Sequence, residues 1–136
     1  MKRVHLLILL TLLYSDILAD KYVVVSNKKM QDISQSQLRA IYLKKLSILG
    51  GVRLVPVNLQ ARSFLRVNFE NRVLNMSFER LKSYWSAQHY LGHRPPLSMQ
   101  SQESIIAFIK RVDGAIGYIK AEKLDAELKV LYEWED

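Results

Sequence analysis

An α/β fold, with helices covering a mainly parallel central sheet, is what this sequence predicts. Three observations lead there. Short β-branched runs alternate along the chain with stretches of helical apolar spacing. Serines stand where the helical stretches begin, and glycines and prolines separate the segments. No repeat, low-complexity stretch or linker interrupts the pattern, so one compact domain is expected.

Taken in order, "KYVVVSN" (Lys21–Asn27) ends in turn residues and predicts a buried strand. In "DISQSQLRAIYLKK", Ser34 or Ser36 is placed to cap a helix that buries Leu38, Ile41 and Tyr42. Gly50-Gly51 breaks that pattern, and "VRLVPVNL" gives a second strand whose Pro56 predicts an edge or a strand end. From Ser63 to Leu74 the spacing of Leu65, Phe69 and Val73 is helical. A third helix opens after Ser77, with Phe78, Leu81 and Trp85 as its inner stripe and Gly92 at its end. "HRPPL" is a rigid loop, after which Ser101 caps a fourth helix burying Ile105, Ile109 and Val112. "AIGYI" is the third strand and "ELKVLYEW" the fourth. The glycine inside "AIGYI" marks a place where something must approach the backbone closely.

Residues 1–19 have the basic start, apolar run and small final residue (Ala19) of a secretory signal, with an uncleaved anchor as the alternative. Residues 20–136 then form the domain, with no membrane span expected after cleavage. The leader holds Lys2, Arg3 and Asp16, so the formal charge of +7 falls to +6 on its removal. Export makes nucleic acid an unsuitable partner for this basic surface. Small anions, acidic polymers and anionic headgroups are the partners an envelope compartment offers. With no cysteine, disulfides, thiolate chemistry and lipoprotein anchoring are excluded, and a periplasmic location is the natural expectation.

Catalysis finds no support, and no cofactor is expected. His89 and His93 have metal-ligand spacing, but Gly92 ends the helix between them, so a surface pair is expected rather than a metal site. In "SYWSAQHY", a sugar-stacking surface competes with burial of Trp85, and the shared stripe with Phe78 and Leu81 favours core. The strand-to-helix turns are where ligands settle in such folds. "NLQARS" offers Asn58, Gln60, Arg62 and Ser63 at a helix start, where free N–H groups and the helix dipole favour an anion. Ser26 and Asn27, with Lys28 and Lys29 beside them, stand in the first turn. A plainer assignment stands alongside: Ser63 as a helix cap and Arg62 as a solvated charge.

In order and spacing, "SQSQLRAIYLKK", "VRLVPVNL", "MSFERLKSYW", "GHRPPLSMQSQESIIAFIK" and "VDGAIGYIKAE" resemble small single-domain relatives of the periplasmic phosphate-binding proteins. The resemblance implies a type II periplasmic-binding-protein-like fold, in which two lobes close over an anion and an ABC transporter lies downstream. It also implies a structural role for Gly117, in close packing. This chain is long enough for one lobe or a minimal pair. It has Arg62 and Ser63 but lacks the aspartate and the Ser-Gly-Thr turn of the larger relatives, so tight phosphate binding does not carry over. The expectation is a non-enzymatic, exported, solute-binding-like domain. A site for phosphate or another small oxyanion would use Ser26, Asn27, Asn58, Arg62 and Ser63, with an ABC transporter permease as partner. The alternative is a ligand-less adaptor in an envelope protein complex.

Overall fold

The computed structural model describes residues 20–136; the leader assignment falls outside the described residues. Seven strands and four α-helices are laid out as β1 (Lys21–Asn27), α1 (Gln35–Tyr42), β2 (Ile48–Leu49), β3 (Val52–Arg53), β4 (Val55–Leu59), α2 (Phe64–Arg72), α3 (Phe78–Tyr90), β5 (Leu97–Met99), α4 (Gln102–Arg111), β6 (Ala115–Lys120) and β7 (Leu128–Glu135). A 3₁₀ turn, Ala121–Lys123, links the last two strands.

Five strands form the main sheet in the order β5-β4-β6-β1-β7. β4 lies parallel to both β5 and β6, while β1 is antiparallel to β6 and to β7. Four strands therefore point one way and β1 alone opposes them, which satisfies the expected mainly parallel sheet. β2 and β3 make a separate two-stranded ribbon around Gly50-Gly51. The expected strand 52–59 is thus split at Leu54. Pro56 belongs to an interior strand, not an edge. It precedes the β5 ladder, which begins at Val57↔Leu97, so its missing N–H breaks no bond there.

Alternation along β6 sorts the layers. Tyr118 faces α1 and α2, where Phe69 stacks on it at 4.1 Å and 15° and Tyr42 meets Phe69 edge-on at 4.7 Å. The Tyr42 hydroxyl donates within reach of the Val57 and Ile116 carbonyls, at 2.9 and 3.2 Å, so this buried polar group is satisfied by the sheet. Gly117 faces α4 on the other side. A Cβ there would overlap Ile105 Cγ2 and press on Val57, so the glycine lets α4 lie close against the sheet. Ile105 and Ile109 are fully buried in that layer.

Each helix starts at a serine. Ser34, not Ser36, caps α1: its Oγ accepts from Gln37 N–H while the Gln37 side chain accepts from Ser34 N–H. Ser63, Ser77 and Ser101 cap α2, α3 and α4 in the same sense. α3 departs from expectation. Of its stripe only Leu81 is buried; Phe78 is 57% exposed and Trp85 is half-buried outside the main core. The helix docks instead on a small satellite cluster of Leu43, Met76, Leu81 and Tyr84. Val112, expected in the core, is only partly buried, because the chain has turned extended there to enter β6.

Candidate anion site

At the carboxyl ends of the parallel strands, β4 runs into α2 through Gln60–Ser63 and β5 runs into α4 through Gln100–Ser101. Two helix N-termini therefore meet at one sheet edge. Between them lies an open depression of ≈ 470 Å³ lined by Gln60, Arg62, Ser63, Gln100, Ser101 and Lys123, among others. Ser63 Oγ accepts from Arg66 N–H at 3.4 Å and Ser101 Oγ from Ser104 N–H at 3.1 Å. The caps occupy one first-turn donor in each helix. In α4 the Glu103 carboxylate also takes its own backbone N–H. The aligned peptide dipoles of both helices favour negative charge at these ends.

Arg62 is exposed at the wall of the depression. Lys123 pairs with Glu103 at 2.5 Å, which lowers the Glu103 pKa and raises that of Lys123 through their hydrogen bond. The carboxylate offsets part of the local positive charge. Gln102 is spent on structure, its Oε1 accepting from Lys120 N–H at 2.8 Å.

Beneath the depression the strand ends are pinned. The Tyr118 hydroxyl donates to Asn58 Oδ1 at 2.9 Å and accepts from Leu59 N–H at 3.0 Å. Arg66 donates to Leu59 O at 2.9 Å, reaches Ser98 Oγ at 3.3 Å and pairs with Glu70 at 3.3 Å. Burial, opposed by Arg66, raises the Glu70 carboxyl above its ordinary 4.5. A raised folded value means the folded state holds the proton more tightly than the unfolded chain. The associated stability is complete below pH 4.5 and is lost as pH rises through the raised folded value. Glu70→Gln is expected to flatten that part of a pH–stability curve; an unchanged decline would remove the group as its source.

The fold separates the five expected site residues. Asn58, Arg62 and Ser63 share this edge, although Asn58 is buried and tied to Tyr118. Ser26 and Asn27 do not face them. Because β1 runs against its neighbours, its carboxyl end lies at the opposite edge, beside the start of β6. There Ser26 is fully buried and donates to Ala115 O at 2.6 Å. Asn27 accepts from Lys29 N–H and lines a more enclosed cavity of ≈ 160 Å³ with Lys29, Gly50 and Gly114. Ser101 and Lys123 join the depression without belonging to the expected set. Ser101 is visible in the sequence as a cap, but the three-residue β5 after two prolines reads as loop, which hides the second strand-to-helix turn. Among the described residues no group of His, Asp or Glu is placed to hold a metal ion. His93 Nδ1 instead lies 2.7 Å from Gln88 Oε1.

No family model and no curated protein matches the chain. Solved structures do. An ABC-type phosphate transport receptor from Vibrio cholerae superposes with a TM-score of 0.64 at 18% identity, over 82% of this chain and 45% of the receptor. A putative phosphate ABC transporter substrate-binding protein from Clostridium perfringens, with bound phosphate, superposes with a TM-score of 0.67 at 18% identity, over 82% of this chain and 44% of that one. The likeness is one of fold: the chain has a periplasmic-binding-protein-like fold and spans less than half the length of either protein. Among the described residues there is one five-stranded sheet and one two-stranded ribbon. No helix among the described residues is long and apolar enough to cross a membrane.

Proposed function

We propose that the chain is an exported, single-lobe solute-binding protein that holds a small oxyanion, phosphate first among them, in the depression between α2 and α4. The observation that carries this reading is the convergence of two serine-capped helix N-termini with Arg62 at one sheet edge. Arg62 supplies charge, the Ser63 and Ser101 hydroxyls and first-turn N–H groups set geometry, and an ABC transporter permease would take up the solute. The depression is open to solvent, so the binding is expected to be weaker than in a closed cleft.

The test is thermal unfolding of residues 20–136 in phosphate, sulfate and chloride at matched ionic strength. Ligand at ~100 times its dissociation constant adds ~2.7 kcal/mol, a rise of several degrees for a domain of this size. Arg62→Ala with Ser63→Ala is expected to abolish the phosphate-specific rise. Loss of the Ser63 cap lowers the midpoint by itself, so the quantity read is the difference with and without anion. Equal shifts with all three salts, or an unchanged phosphate response in the double variant, would sink the proposal.

A second reading, an adaptor within an envelope assembly, is favoured by Phe64. This aromatic opens α2 beside the depression and is 69% exposed. A partner covering that edge would bury it. Phe64→Ser should then lose a partner recovered from periplasmic extract while the anion response persists; retention of the partner removes this reading.

A further inference from the structure

The third helix has a surface that the anion site does not use. Nine of the thirteen residues of α3 are exposed, and only Leu81 is buried. On one flank, at positions one turn apart, lie Lys82, Trp85, Ser86 and His89, with Tyr90 at the end. Together these five line an open depression of ≈ 580 Å³. The helical spacing assigns Trp85 to the core, and the structure places it here instead.

The indole is held in position from within the protein. Tyr84 meets Trp85 edge-on, with centroids 4.9 Å apart and planes at 79°. The Tyr84 hydroxyl is in turn tied to Leu43 O at 2.6 Å, on the loop that follows α1. Tyr84 does not line the depression. Lys82, Ser86, His89 and Tyr90 are all exposed, Tyr90 at 90%, so their donors and acceptors are open to a ligand. No carboxylate among the described residues lines the depression, and the cation is Lys82.

We infer that this flank of α3 is a binding platform for an acidic saccharide. A sugar ring has an apolar C–H face and a rim of hydroxyls. It matches a flat, fixed indole ringed by a hydroxyl pair, an imidazole and an ammonium group. Trp85 stacks on the ring face, Ser86, His89 and Tyr90 bond its hydroxyls, and Lys82 takes the carboxylate or phosphate. An indole already braced against Tyr84, itself bonded to Leu43 O, leaves less ordering to be offset on binding than a free one would. Five residues on one flank seat one or two sugar rings; a stable protein interface needs ~20 or more residues a side. The lack of carboxylates and the presence of Lys82 make the complementary charge negative. This site is on a different element from the anion depression and does not depend on it.

The test is isothermal titration of residues 20–136, which contain the whole described core, with short oligogalacturonate. A neutral cello-oligosaccharide, poly-glutamate and phosphatidylglycerol vesicles are compared. The acidic saccharide is expected to bind at millimolar concentration or below. Trp85→Ala should weaken it by roughly tenfold. Lys82→Gln should reduce its affinity to that of the neutral sugar. Trp85→Phe keeps a flat ring and should retain most of the binding, which separates loss of the platform from disturbance of α3. No binding of either sugar at millimolar concentration overturns the inference, as does unchanged affinity in Trp85→Ala. Stronger binding of poly-glutamate or vesicles than of saccharide also overturns it, and assigns the face to a protein or a membrane surface.

Discussion

Phe69→Ala is expected to destabilise the domain by about 3–5 kcal/mol, a midpoint loss of roughly 10 °C or more. Phe69 is fully buried on α2 and joins three elements through its ring: Tyr118 of β6 at 4.1 Å, Tyr42 of α1 at 4.7 Å and Trp134 of β7 at 5.8 Å. Truncation removes the transfer energy of the ring and opens a cavity between three aromatic side chains that cannot collapse without moving the sheet. Tyr118 also pins Leu59 and Asn58 at the base of the anion depression. The variant should therefore lose phosphate-dependent stabilisation in addition to intrinsic stability. Urea unfolding measures the first effect, and a loss below ~1 kcal/mol would mean the cluster repacks freely.

Gly114→Ala is expected to be as damaging for a different reason. The residue adopts φ +84, the left-handed region, and a Cβ there would overlap the backbone carbonyl oxygen of Arg53. Gly114 O also accepts from Val55 N–H at 2.9 Å, the bond that leads into the parallel β4–β6 ladder. Backbone cannot yield as a side chain can, so relief of the overlap breaks that bond. A loss of ~3 kcal/mol or more follows, or failure to accumulate in soluble form. Gly92 supplies the control. It has nearly the same φ, +82, and a methyl group added there would meet nothing within 4 Å. Gly92→Ala should cost only the left-handed term, ~1–2 kcal/mol. Equal losses in the two variants would show that the overlap with Arg53 contributes nothing.

The sequence exposes local periodicity well and strand partnership poorly, and the site shows both. Leu38, Ile41, Tyr42, Leu65, Phe69, Ile105 and Ile109 announce their buried faces by spacing, and all are buried. Arg62 and Ser63 follow from a strand-to-helix turn, a local feature. The direction of β1 is not local. "KYVVVSN" is equally strand-like whichever way it runs, and the antiparallel choice is made by residues 115–135. That choice places Ser26 and Asn27 at the opposite end of the sheet from Arg62 and Ser63. β5 is hidden because three residues carry no period. Trp85 escapes the expected core because a stripe of apolar residues shows that a helix has a face, without showing that the face has a partner. α3 is held through Leu81 and Tyr84, which leaves the Trp85 flank open.

The placement of β1 between β6 and β7 also governs how the chain reaches this structure. Every ladder contact of β1 is with residues on the order of a hundred positions further on. Until those residues are available, its buried valines have no sheet to join, and closing so large a loop must precede the reward from pairing. Refolding should accordingly be slow for a domain of this size, in the millisecond-to-second range of non-local topologies. Its rate-limiting step should be insertion of the first strand between the last two. Shortening the chain before Leu128 would leave one side of β1 unpaired and prone to join another molecule. The same strand whose direction sets Ser26 apart from Arg62 and Ser63 is thus expected to close late, once nearly all of the chain can take part.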